Sequence, residues 1–123
     1  MRIKEKEILV ELNDRQYHCA MDLAMSFLGG KWKTVVLWYL KSEKKRFGEL
    51  SKQCPQITER MLSITLKQLE EDGLVLREVY TKKPPLKVEY SLTEFGQSLV
   101  PTLNAIARWG REGAKTKGRL IEL

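Results

Sequence analysis

Four chain breakers stand between residues 55 and 85: Pro55, Gly73 and the pair Pro84-Pro85. Proline lacks a backbone donor and drives its predecessor out of helical angles, whereas glycine tolerates the left-handed conformation that closes a helix. The stretch before Pro55, carrying Phe47, Leu50 and residues 51–54, is therefore confined to a helix of barely two turns. The next helix begins at Thr58, whose hydroxyl can accept from the free amides of the first turn, and runs to Asp72, where Gly73 stops it. Residues 74–80 and 87–92 are rich in Val, Tyr and Leu with partial alternation, and they flank Thr81-Lys82-Lys83-Pro84-Pro85-Leu86. That pattern predicts a β-hairpin with a basic tip.

Helical spacing accounts for most of the remainder. Met21, Leu23, Ala24, Phe27 and Leu28 predict a first helix over residues 20–28, which Gly29-Gly30 ends by accepting positive φ. Trp32, Val35, Val36, Tyr39 and Leu40 form a wide apolar stripe over residues 31–41, and a charged connector follows over residues 42–46. Thr93 opens a last helix with Glu94 in its first turn, on which Leu99, Leu103, Ile106 and Gly110 fall on one line beside Trp109. Pro101 must kink that helix or split it. Residues 3–17 end in Asn13-Asp14-Arg15 and read as an extended arm with a turn.

Three helices, a short helix pair and an immediate hairpin give the expected class: α+β, mainly α, a winged helix-turn-helix with a two-stranded wing. The absence of repeats and long linkers predicts one domain over residues 19–111, between an N-terminal arm of residues 1–18 and a basic tail of residues 112–123. A chain of 123 residues can bury one core but leaves no room for a regulatory domain beside it.

Composition narrows the function classes. With 42% apolar and 31% charged residues the chain is expected to fold as an ordinary globular domain. No run approaches the ~18 apolar residues of a membrane span, and the first residues lack the apolar core of a secretion signal, so a cytoplasmic protein with no membrane partner is expected. A phosphate-binding Gly-rich loop, an HExxH pair and a nucleophile with its base are all missing, which argues against an enzyme. His18 stands outside any cluster of ligand spacing and reads as a surface or capping residue, so neither a metal nor a cofactor is expected.

The net charge of +6 favours an anionic partner. On the helix of residues 58–72, Leu62, Leu66 and Leu69 share one face, while Arg60, Ser63, Ile64 and Lys67 fall on the opposite one. A helix laid in the major groove shows only its outer face to base edges, so double-stranded DNA is the expected partner. Thr58, Glu59 and Met61 in the first turn join the expected contacts. Lys82 and Lys83 at the hairpin tip, with Lys87 near it, are placed for phosphates or the minor groove. Lys44, Lys45 and Arg46 precede the short helix and read as backbone contacts or as a solvated loop. Ile64 either meets a thymine methyl or leans on the core. The competing function is a winged helix that binds another protein, a use the same fold permits.

Several segments together carry a family likeness. Leu28-Gly29-Gly30-Lys31-Trp32-Lys33, Arg46-Phe47-Gly48-Glu49-Leu50, Met61-Leu62, Gln68-Leu69-Glu70-Glu71-Asp72-Gly73-Leu74 and Pro84-Pro85 before Val88-Glu89-Tyr90-Ser91-Leu92-Thr93 resemble the HxlR family over residues 19–109. Ala20 stands where the family usually has proline, Ile64 replaces a side chain that is often polar, and the wing is one residue longer. The resemblance implies a dimeric winged-helix transcription regulator of the MarR type, with its first and last helices pairing two subunits over a pseudo-palindromic operator. On that basis Met21, Leu23, Phe27, Leu99, Leu103, Ile106 and Trp109 are expected at a homodimer interface, and the last helix is indeed more apolar than so small a core needs.

Cys19 matches the N-terminal cysteine through which some members sense oxidants or electrophiles. A second thiol, Cys54, could resolve an oxidised one; alternatively both thiols simply pack as small apolar groups. Trp32, Trp38 and Trp109 either line an effector pocket or belong to the core and dimer interface. The identity of an oxidant or small-molecule effector is not written in the sequence.

Overall fold

The computed structural model describes residues 2–3, 6–7, 9–119 and 121. In chain order the elements are β1 (Arg2–Ile3), β2 (Lys6–Glu7), β3 (Val10–Leu12), β4 (Arg15–Tyr17), α1 (Ala20–Leu28), α2 (Lys33–Leu40), α3 (Phe47–Gln53), α4 (Glu59–Glu71), β5 (Val75–Val79), β6 (Val88–Leu92), α5 (Glu94–Ser98) and α6 (Val100–Lys117). The strands make three antiparallel pairs, β1 with β2, β3 with β4 and β5 with β6.

α2 is the centre of the domain, packed against α1, α3, α4, α6 and β6. Val36, Leu37 and Leu40 of α2 meet Leu50, Leu62, Leu66, Leu69, Leu74, Val75 and Leu103 in one buried cluster. Leu37 lies outside the stripe expected from helical spacing, because residues 35–40 are apolar all round and this helix is enclosed rather than half exposed. α2 begins only at Lys33. Gly30 takes a φ of +98° to turn the chain, while Gly29 stays extended, so the freedom expected of the glycine pair is used at Gly30 alone.

Residues 10–17 are extended strands folded back on each other at the expected turn. Val10 pairs with Tyr17 and Leu12 with Arg15 across a turn in which Asn13 and Asp14 have φ of 51° and 62°. Asn and Asp tolerate that region better than other residues with a side chain. At the other end Pro101 splits the helix instead of bending it. It falls in the first turn of α6, where its missing N–H has no helical acceptor to lose. α6 then continues to Lys117 with Lys115 and Lys117 at the favourable end of its dipole, so the expected tail boundary at residue 112 falls inside a helix.

Thr93 ties the wing to α5. Its hydroxyl donates to the Gly73 carbonyl at 2.6 Å and accepts from the Gly96 amide at 3.0 Å. A Cβ at Gly96 would collide with the Leu74 carbonyl and press on the Leu92 side chain. Gly96→Ala is therefore expected to destabilise the fold by about 1–3 kcal/mol, the usual cost of overpacking, measured as a lower urea midpoint with an unchanged slope.

Candidate nucleic-acid interface

α4 is fixed at both ends and along one side. The Thr58 hydroxyl accepts from the Met61 amide at 3.0 Å, Gly73 takes a φ of +77° after the last turn, and Lys33 reaches Asp72 at 3.3 Å to bind α2 to the helix end. Leu62, Leu66 and Leu69 are fully buried, as is Thr65, a position that the helical period sets beside the leucine seam. Arg60, Ser63, Ile64 and Lys67 are exposed. Ile64, at 40% exposure, faces outward and does not lean on the core. Thr58, Glu59 and Met61 are exposed too. Glu59 sits in the first turn, where an acid suits the helix dipole, and Thr58 keeps its hydroxyl proton for an outside acceptor.

The wing is a regular ladder from Val75 with Leu92 to Val79 with Val88, lengthened by the Tyr80 amide donating to Lys87 O at 2.8 Å. The Thr81 hydroxyl organises the tip, accepting from the Lys87 amide at 3.0 Å and donating to the Pro85 carbonyl at 3.2 Å. Lys82 and Lys83 are exposed there. Lys87 is exposed as well, but its ammonium lies 3.8 Å from Glu89 and over the Tyr80 ring. Lys44 meets the same pair from the α2–α3 connector, 3.8 Å from Glu89. Its pKa is raised above the usual lysine value, first by the hydrogen bond to the Tyr80 hydroxyl and then by the Glu89 charge.

Lys45 does not belong with the expected backbone contacts. It is buried, paired with Glu43 at 3.1 Å, and exchanges two main-chain hydrogen bonds with Tyr90, so residue 45 adds a single antiparallel bridge to the β6 edge of the wing. Arg46 is exposed at the start of α3, its amide donating to Glu49.

The residues expected at a dimer interface divide. Leu103, 3% exposed, is core of its own subunit and is not available to a partner. Leu23 is half-buried, and Phe27 and Leu99 pack against the same core, Phe27 edge-on to Phe95 at 5.3 Å. Met21 at 65%, Ile106 at 44% and Trp109 at 78% are exposed. Trp38 and Ile106 line a cleft of about 280 Å³ between α2 and α6, with Lys41 stacked on the Trp38 ring and bonded to Asn104. Trp32 packs partly on the core.

The two thiols differ in setting. Cys19 is half-buried at the start of α1. Cys54 is 4% exposed at the foot of a cleft lined by Trp32, Tyr39 and Pro55, and burial pushes its thiol pKa up. A shielded thiol whose pKa is raised is a weaker nucleophile, so this setting favours the packing alternative for Cys54 over a resolving role. A thiol-specific reagent is expected to modify Cys19 well before Cys54 in the folded protein; equal rates would refute the assignment. Among the described residues, no group of three or more His, Cys, Asp or Glu side chains could hold a metal, and no helix is long and apolar enough to cross a membrane.

A capped helix with a basic outer face, followed at once by a lysine-tipped hairpin, is the arrangement of a winged helix, and comparison with known proteins places it. Residues 27–117 match the HxlR-like helix-turn-helix family. The chain belongs to the HxlR family. It is 48% identical over 101 residues to an HTH-type transcriptional regulator of Methanothermobacter thermautotrophicus, spanning 82% of this chain and 76% of the relative. Another HTH-type regulator, YdeP of Bacillus subtilis, is 47% identical over 105 residues, 85% of this chain and 79% of its own. Among solved structures the redox regulator HypR matches in its oxidised form at 46% identity and a TM-score of 0.71, covering 76% of this chain and 96% of HypR. Its reduced form gives 43% and 0.75 over 80% and 96%. This HxlR protein is thus a winged-helix transcriptional regulator of the helix-turn-helix type, in a family of regulators and not of enzymes.

Proposed function

We propose that the chain acts in the cytoplasm as a homodimer that binds a pseudo-palindromic operator in a sequence-specific way, with α4 in the major groove and the wing tip on the neighbouring backbone. The observation that carries this reading is the division of α4 into a buried leucine seam and an exposed Arg60, Ser63, Ile64 and Lys67 face. Arginine reads guanine bidentately, Ile64 supplies an apolar contact for a thymine methyl, and Lys67, Lys82 and Lys83 neutralise phosphate. Met21, Ile106 and Trp109 supply exposed apolar surface for a second copy. Hydroxyl-radical footprinting tests the geometry. Two protected half-sites about 10–10.5 base pairs apart, or a multiple of that, are expected. A footprint on one half-site only would exclude the symmetric dimer, and none at all would favour the protein-interaction module.

The likeness to HypR, solved in oxidised and reduced forms, and the half-buried Cys19, less shielded than Cys54, support a thiol-switched signal. Oxidant is expected to change operator affinity in the parent chain and not in Cys19→Ser. An unchanged response in that variant removes Cys19 from the mechanism and leaves the DNA-binding reading standing.

A further inference from the structure

The Gly29-Gly30-Lys31-Trp32-Lys33 segment lies against the side of α4. One cleft of about 270 Å³ is lined by residues 29–33 on one wall and by Met61, Thr65 and Gln68 of α4 on the other. At ~100° per residue Met61 and Gln68 occupy the flank between the buried seam and the outer face. The opposite flank carries Glu59 and Glu70, whereas the acid at the far end of the loop-side flank, Asp72, is engaged by Lys33. Gly29, Gly30 and Lys31 are exposed, and the Lys31 ammonium rests 4.9 Å from the centre of the Trp32 ring.

An α-helix with its side chains is about 10–12 Å across, and the major groove is about 12 Å wide. A helix seated in that groove fills it, so whatever is packed against its flank meets the groove wall, which is phosphate backbone. We infer that the loop of residues 29–33 is a second DNA-backbone contact, with Lys31 supplying the charge, an inference that rests on the DNA-binding reading above. The glycine pair then has two uses. It turns the chain at Gly30, and it presents bare backbone beside α4 where larger side chains would hold the phosphates away.

A phosphate contact carries no sequence information, and removing it weakens binding evenly across sequences and flattens the salt dependence. The test measures affinity for the duplex flanking the protein's own gene, and for a scrambled duplex, at several salt concentrations. Lys31→Met keeps the stem over Trp32 and removes the charge. It is expected to weaken both duplexes several-fold and to lower the log–log salt slope by about 0.9 for each phosphate no longer neutralised, hence about twice that for a dimer. Lys31→Glu is expected to weaken binding further, and Lys31→Arg to retain the parental slope, which separates charge from any effect on folding. Parental slope and affinity in Lys31→Met would overturn the inference, as would a loss confined to the specific duplex. Failure of the parent chain itself to prefer its duplex would instead overturn the DNA-binding reading, and this inference with it.

Discussion

Leu66→Ala is expected to cost about 2–5 kcal/mol of unfolding free energy. Leu66 is 1% exposed at the centre of the α4 seam, between Leu62 and Leu69 and opposite the buried side of α2. Truncation removes its transfer energy and leaves a cavity that rigid helix neighbours close only in part. A domain of this size has about 5–15 kcal/mol in total, so the variant falls close to the limit of folding. Urea unfolding followed by circular dichroism measures the loss directly. A cost below about 0.5 kcal/mol, the range of surface substitutions, would mean that the seam is not what holds α4 to the domain.

The second large effect concerns binding rather than folding. In the double variant Arg60→Ala with Lys67→Ala, both side chains are exposed on the outer face of α4 and take no part in the described hydrogen bonds or ion pairs, so unfolding free energy is expected to stay within about 0.5 kcal/mol of the parent. A bidentate base contact is worth about 1–3 kcal/mol. Two copies of Arg60 in a dimer then account for about 2–6 kcal/mol, at least about thirtyfold in affinity, and removal of Lys67 reduces the salt slope as well. Measured by fluorescence anisotropy, parental affinity in this variant would place the DNA-reading surface elsewhere on the protein.

What was legible in the sequence is what local rules control. Thr58, Gly73 and the leucines at positions 62, 66 and 69 delimit α4 because capping chemistry and a 3.6-residue period act within one segment. Pro55 and the basic turn before Val88 mark α3 and the wing for the same reason. Tertiary context decided the rest. Lys45 reads as one more surface cation, and only its pairing with Tyr90 across the wing buries it. Leu103 and Ile106 share one helical line, yet α2 covers Leu103 and leaves Ile106 exposed. Cys54 looks as available as Cys19 until the fold places it, at the end of α3, in the buried core cluster. The length of α6 was hidden because its last turns are polar and glycine-containing, a composition that also suits a frayed tail.

Sequence-specific binding to DNA is the claim on which the rest depends, and an anisotropy titration at two salt concentrations tests it. The purified protein is titrated against the duplex flanking its own gene and against a scrambled duplex of equal length and composition. The expected result is a preference of at least about 10³ at physiological salt, with both affinities falling steeply as salt rises. Equal affinities for the two duplexes would contradict the account.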